Sequence, residues 1–305
     1  MNSSIHPSEG GKPGEPTPTT VVTKDHNEKH DEEADSFLPK KHIDIKTGKR
    51  PSYREPLTHL KNRSFIEVLF GSCFGEFGTQ LTIDELVPYY DLKNDANTFF
   101  DNKCKDYDDF LREMWADLTG ETIEEIENEG WKNFGFQNNN PRSDFRGGGL
   151  LSLKQLAYFI KTNKDRIEGL SSDNSTFLFA VSSINITYFL IKYFHLSNDL
   201  IFAKDKKIIC SRVALKTFCS VLRVDKNILN KIHGLLLLDL YNTWEELRKK
   251  VAGLTLMDFN LALNTVKERM VKATKGHIYD DYESFREYYL KQEVILPNRK
   301  ASYSR

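Results

Sequence analysis

From Tyr107 onward the apolar residues of this chain recur at three- and four-residue steps. Tyr107, Phe110, Leu111, Met114 and Leu118 fall along one face of a helix. The same spacing returns at Leu153, Leu156, Phe159 and Ile160, at Leu215, Phe218, Cys219 and Leu222, and at Phe259, Leu263, Val266 and Met270. Ile228, Ile232, Leu235 and Leu236 mark a longer run between Lys226 and Val251. No stretch of alternating β-branched residues is bounded by hairpin turns, and no repeat of a solenoid's length recurs. The pattern predicts an all-α fold, a single helical domain over residues 101–275.

Local signals refine that expectation. Thr119-Gly120 ends one helix. Thr122 with Glu125 reads as a capping box opening a short helix over Ile123 and Ile126. Phe177–Phe194 is the most apolar segment and reads as the central helix, with Ile184, Tyr188 and Ile191 sharing its buried face. Within it, Thr176–Ile191 falls short of the roughly 18–20 apolar residues of a membrane span. Thr255 and Asp258 cap a later helix, and Tyr282–Gln292 adds a last one in the C-terminal extension, 276–305.

Residues 1–60 hold almost no large apolar side chains, so they cannot offset the entropy of ordering and are expected to be disordered. Residues 61–100 read as an irregular or helical lead-in packing on the main domain: Phe65–Phe77 is apolar but glycine-broken, and Asp84–Tyr90 adds a turn. A formal net charge of −1 gives no global case for nucleic-acid binding. The four cysteines form no Cys-x-x-Cys pair, so they read as inert thiols rather than as metal ligands. Met1–Gly11 is polar, without the apolar core of a secretory signal. A cytoplasmic protein is expected.

One stretch, Trp131–Phe159, differs from the helices around it. Asn138–Pro141 cannot continue a helix. Asp144-Phe145-Arg146 follows, then Gly147-Gly148-Gly149, then a helix. A glycine run at a helix N-terminus lets backbone amides approach an anion, and an arginine at its edge offers a planar fork for phosphate. The residues also permit a structural reading, in which Asp144 and Arg146 pair to close the loop and Arg142 is surface charge. No Gly-Lys-Ser/Thr follows the glycines, so this is not a Walker loop.

At these positions the chain resembles the ELMO domain family. That family's motif runs Trp, three residues, Gly-Phe-Gln, three residues, Pro, one residue, Thr-Asp-Phe-Arg-Gly-x-Gly, then Leu-x-x-Leu-x-Tyr-Phe. The matching residues are Trp131, Gly135, Phe136, Gln137, Pro141, Asp144, Phe145, Arg146, Gly147, Gly149, Leu153, Leu156, Tyr158 and Phe159, with Ser143 in place of the usual threonine. Leu111–Trp115 and Ile184-Asn185-Ile186-Thr187 resemble family helices on either side, and the likeness covers about 105–275.

The resemblance implies two classes of function. Short members resemble GTPase-activating proteins for Arf-family small GTPases, with the arginine matching Arg146 implicated in catalysis. Long members are scaffolds that work with a Rac exchange factor, and carry a PH domain and a Pro-rich tail; no PxxP motif stands at Val294–Arg305. The first class is preferred, with the non-catalytic scaffold that binds a small GTPase or exchange-factor complex as the alternative. Under the first, Arg146 is the catalytic residue. Asp144 orients it, Gly147 and Gly149 admit a close partner backbone, and Trp131 and Phe145 fix the loop by packing. Gln137 either orients a loop backbone group or reaches the partner. No cofactor or metal is expected on this chain, since GTP and Mg²⁺ come with the GTPase, and any contact with a membrane surface is through that partner.

Overall fold

The computed structural model describes residues 81–98, 100, 105–171, 176–197 and 209–294. The expectations for residues 1–60, for Phe65–Phe77, and for Cys73 and Cys104 lie outside those residues. The described chain is helical, with no strand among the described residues. In order, the α-helices are α1 (Ile83–Asn97), α2 (Asp108–Thr119), α3 (Gly149–Thr162), α4 (Lys164–Ser171), α5 (Phe179–Tyr193), α6 (Arg212–Val224), α7 (Ile228–Lys250), α8 (Phe259–Thr274) and α9 (Tyr282–Leu290). Between α2 and α3 the chain forms two 3₁₀ turns, Glu129–Phe134 and Pro141–Gly147. None of the described helices is long and apolar enough to cross a membrane.

The core gathers around α3, α5 and α7, which pack on one another. Their inward residues, among them Leu153, Leu156, Ile186, Leu190, Ile232 and Leu236, are excluded from water. α8 and α9 close the α7 side, so the segment after residue 275 contributes a packed helix. α1 lies across α3 and α6.

Three local expectations are corrected. The turn expected near Asp84 is the start of a full 15-residue helix, opened by a Thr82–Glu85 capping box and tolerating Pro88 inside it. The Thr122–Glu125 box does not start a helix, because residues 121–127 run as bends. There the Ile126 carbonyl accepts the Trp131 indole N–H at 2.8 Å, and the Asn128 amide reaches Asn139 O at 2.8 Å. Ile184 and Tyr188 are only half-buried, and the inner face of α5 is carried by Ala180, Ser183, Ile186 and Leu190.

The core also buries titratable side chains, among them a histidine and a cysteine. His233 of α7 is fully buried, with Nε2 3.0 Å from Ser183 Oγ and 3.1 Å from Ser183 O on α5. Burial among apolar side chains holds its imidazole down to about 4, so it is neutral at physiological pH. Cys210 is also buried, and desolvation pushes its thiol up to about 12. That is the inert state expected of it.

Candidate functional site

The segment 128–149 is held in place from inside by aromatic packing. Trp131 has no exposed surface and meets Trp115 and Phe136 edge to face, at 4.9 and 5.2 Å between centroids. Phe145 is likewise sealed, between Phe136 at 5.9 Å and Phe100 at 5.5 Å. Gly135 takes a left-handed φ of +79° and lies so close to α5 that a Cβ would stand 2.4 Å from the Phe179 amide nitrogen. Its carbonyl in turn accepts from Val181 N–H at 3.3 Å. The loop is therefore clasped to the N-terminal end of α5.

Polar groups close the turn itself. Asn140 caps the Pro141–Gly147 turn through the Arg142 amide. Arg142 is buried. It donates to Asp108 through Nε at 2.9 Å and Nη2 at 2.5 Å, which ties the loop to the first turn of α2. The loop-closing arginine is thus Arg142, not Arg146, and the reading of Arg142 as surface charge is overturned. Asp144 accepts from the Gln137 amide at 2.7 Å and from Ser143 Oγ at 3.2 Å. Burial pushes its carboxyl above the usual range, against the opposing pull of those hydrogen bonds. Among the described residues it forms no ion pair with Arg146, although the charge of that guanidinium also draws its carboxyl down.

Arg146 is exposed. Its Nε donates to the Ser143 carbonyl at 2.8 Å. Its two terminal nitrogens have no hydrogen-bond partner among the described residues. With Phe145 anchored in the core, the next residue along the turn, Arg146, is left on the surface. The result is a guanidinium braced at its root and free at its tip.

Arg146 stands on the rim of an open cleft of about 230 Å³, lined by Gln137, Asp144, Arg146 and Gly147 from the loop and by Val181, Ile184 and Asn185 from α5. Of the site residues expected from sequence, Gln137, Asp144, Arg146 and Gly147 meet here. Trp131 and Phe145 lie beneath, in the core. Gly149 stands elsewhere. It adopts a φ of +59°, and a Cβ there would fall within 3.0 Å of the carbonyl oxygens of Asp95, Ala96 and Thr98 at the end of α1. The Leu150 amide donates to Thr98 O at 3.2 Å. The amide end of α3 is thus occupied by the carbonyl end of α1, and it does not present an open anion site as the glycine run suggested. Gly147, by contrast, has open space around it.

Sequence reasoning missed the α5 wall. Spacing alone puts Ile184 on the buried face, because three- and four-residue steps mark a stripe without saying where the stripe ends, and it gives no sign that Val181 and Asn185 line a cleft.

Comparison with known proteins agrees with the motif. The family model for ELMO/CED-12 matches residues 90–263. ELMO domain-containing protein C of Dictyostelium discoideum is 24% identical over 174 residues, covering 57% of this chain and 27% of that protein. ELMO domain-containing protein B of the same organism is 34% identical over 92 residues, 29% of this chain and 32% of that one. ELMO domain-containing protein 2 of Mus musculus is 31% identical over 113 residues, 34% of this chain and 38% of that one. The chain thus spans well under half of the length of each of these relatives. No solved structure gives a significant match. With the family model covering more than half of its length and the motif folded into one loop, this chain belongs to the ELMO/CED-12 family.

Proposed function

We propose that this protein is a GTPase-activating protein for an Arf-family small GTPase, and that Arg146 is the arginine it inserts. The observation that carries the reading is the state of that side chain: exposed, braced through Nε, and with both terminal nitrogens free on a cleft rim. GTP hydrolysis builds negative charge around the transferring phosphoryl group. A guanidinium supplied in trans neutralises it and is worth roughly 10³–10⁵ in rate. At about 1.4 kcal/mol per decade, that is ~4–7 kcal/mol of transition-state stabilisation. The hydrogen bond to Ser143 restricts the side chain before the partner arrives, so less entropy is lost on insertion. Asp144 acts one step back, holding the Gln137 amide and hence the shape of the loop. GTP and Mg²⁺ belong to the partner, and this chain contributes no cofactor. The protein works in the cytoplasm and meets membranes through that GTPase.

The test is single-turnover GTP hydrolysis by a panel of Arf-type and Rac-type GTPases with and without the purified protein. Acceleration on an Arf-type member is the expected result. Capture of an exchange-factor complex without any acceleration would favour a scaffold instead.

A further inference from the structure

A single inserted arginine does little for ground-state affinity, because its contact strengthens mainly in the transition state. Something beside Arg146 must seat the partner. We propose that the α5 wall of the cleft, Ile184 and Asn185, is that docking surface, and that it takes a loop of the GTPase lying next to the bound nucleotide. This rests on the activating role proposed above.

The wall has a defined chemistry. Asn185 spends its Nδ2 on the Val181 carbonyl at 2.9 Å, within its own helix. That leaves Oδ1 as an acceptor on a residue that lines the cleft. Ile184, next to it, is half-buried and offers aliphatic surface on the same wall. Across the cleft stand the free donors of Arg146. A fitting segment must place a backbone N–H and an aliphatic side chain against α5 while a phosphate oxygen reaches the guanidinium. A loop that wraps a nucleotide's phosphates carries all three within a few ångströms. A peptide or free nucleotide carries only part of the set.

The wall is also rigid. Gly135 and Val181 tie the loop backbone to α5, and His233 ties α5 to α7 one residue before Ile184. Docking on α5 therefore fixes where Arg146 points. Recognition and rate are then carried by different residues of one cleft. α5 decides which GTPase is seated, and the loop supplies charge to whatever is seated.

The experiment titrates the protein against a fixed, GTP-loaded Arf-type GTPase and reads maximal rate and half-saturating concentration separately. Ile184→Thr and Asn185→Ala should each raise the half-saturating concentration, and together by ~10-fold or more, the scale of losing a central interface contact. They should move the maximal rate far less. Arg146→Lys should show the opposite split. Melting temperatures of all variants check that the fold persists. A lower maximal rate at unchanged half-saturation, or no change in either, would overturn the docking role. If the wild-type protein accelerates no GTPase, the activating role fails on its own. Direct binding to GTP-analogue-loaded GTPase then decides the wall: binding that the α5 variants lose supports it, and binding they keep, or no binding at all, sinks it.

Discussion

Arg146 Nε donates to the carbonyl of Ser143 at 2.8 Å, three residues back in the same 3₁₀ turn. The bond orients the side chain without burying it, so its planar end remains available. Lysine at this position keeps the charge but loses both the bond and the fork. Arg146→Lys should melt close to the wild type, since little buried surface is disturbed, while GTPase acceleration falls by ~10-fold or more. A collapsed melting curve would show that the side chain supports the fold, and undiminished acceleration would remove it from catalysis.

Arg142, four residues earlier, should behave in the reverse way. Its guanidinium is buried against Asp108, so truncation leaves a carboxylate without its partner. Arg142→Ala is expected to cost roughly 3–5 kcal/mol, as breaking one side of a buried pair does. Denaturant unfolding measures this directly. A loss below ~1 kcal/mol would mean that water reaches Asp108 more freely than the geometry implies.

The glycines of the motif separate as cleanly. Gly149→Ala adds a Cβ at a left-handed φ and 2.6 Å from the Thr98 carbonyl oxygen, so α1 must be displaced or the turn reshaped. It should destabilise by about 2 kcal/mol or more. Gly147→Ala enters open space and should cost at most ~1 kcal/mol. Any loss of GTPase acceleration in Gly147→Ala, at unchanged melting temperature, would report a partner backbone passing close to that residue.

His233 sets a pH dependence whose sign can be worked out. Its folded-state pKa is depressed to about 4 by burial, against a usual value of 6.5. The stability it contributes is therefore present above pH ~6.5 and is lost as pH falls toward 4, because the unfolded chain takes up a proton that the folded one refuses. At about 1.4 kcal/mol per unit, the loss approaches roughly 3 kcal/mol. In His233→Gln the amide can still donate to Ser183 but cannot titrate. The drop in unfolding free energy between pH 7 and pH 4 should be visibly smaller in that variant. An identical slope would mean that carboxylates alone set the acid limb.

Much of the fold was legible because apolar spacing records one thing well, the face a helix turns inward. α3, α6, α7 and α8 carry that face plainly, and all four lie where the spacing placed them. α1 was under-read because Pro88 stands inside it and its buried apolar residues, Leu86 and Tyr89, are few. The segment 121–127 was over-read because a capping box is a local signal, and the tie between Ile126 and Trp131 overrides it. Within the candidate site, the motif residues Gln137, Asp144, Arg146 and Gly147 come together at one cleft, while Trp131 and Phe145 lie beneath it and Gly149 faces α1. The motif and the adjoining glycines set Arg146 apart from Arg142, but nothing in the string shows that Arg142 is the buried one. The difference lies in Asp108, thirty-four residues away, which only the fold brings near.

The head-to-tail meeting of α1 and α3 bears on where this domain is taken to begin. The family match opens at residue 90, in the middle of α1. A fragment cut there would discard the capping box, the Glu85–Lys216 ion pair and the buried Tyr89, whose hydroxyl holds the carbonyls of Phe194 and His195. The half-helix left behind would fray, and its last carbonyls would no longer cover the first amides of α3. Those amides sit beside Arg146 in sequence. Such a fragment would acquire an anion site absent from the longer chain, and phosphate bound to it would report the cut rather than the protein.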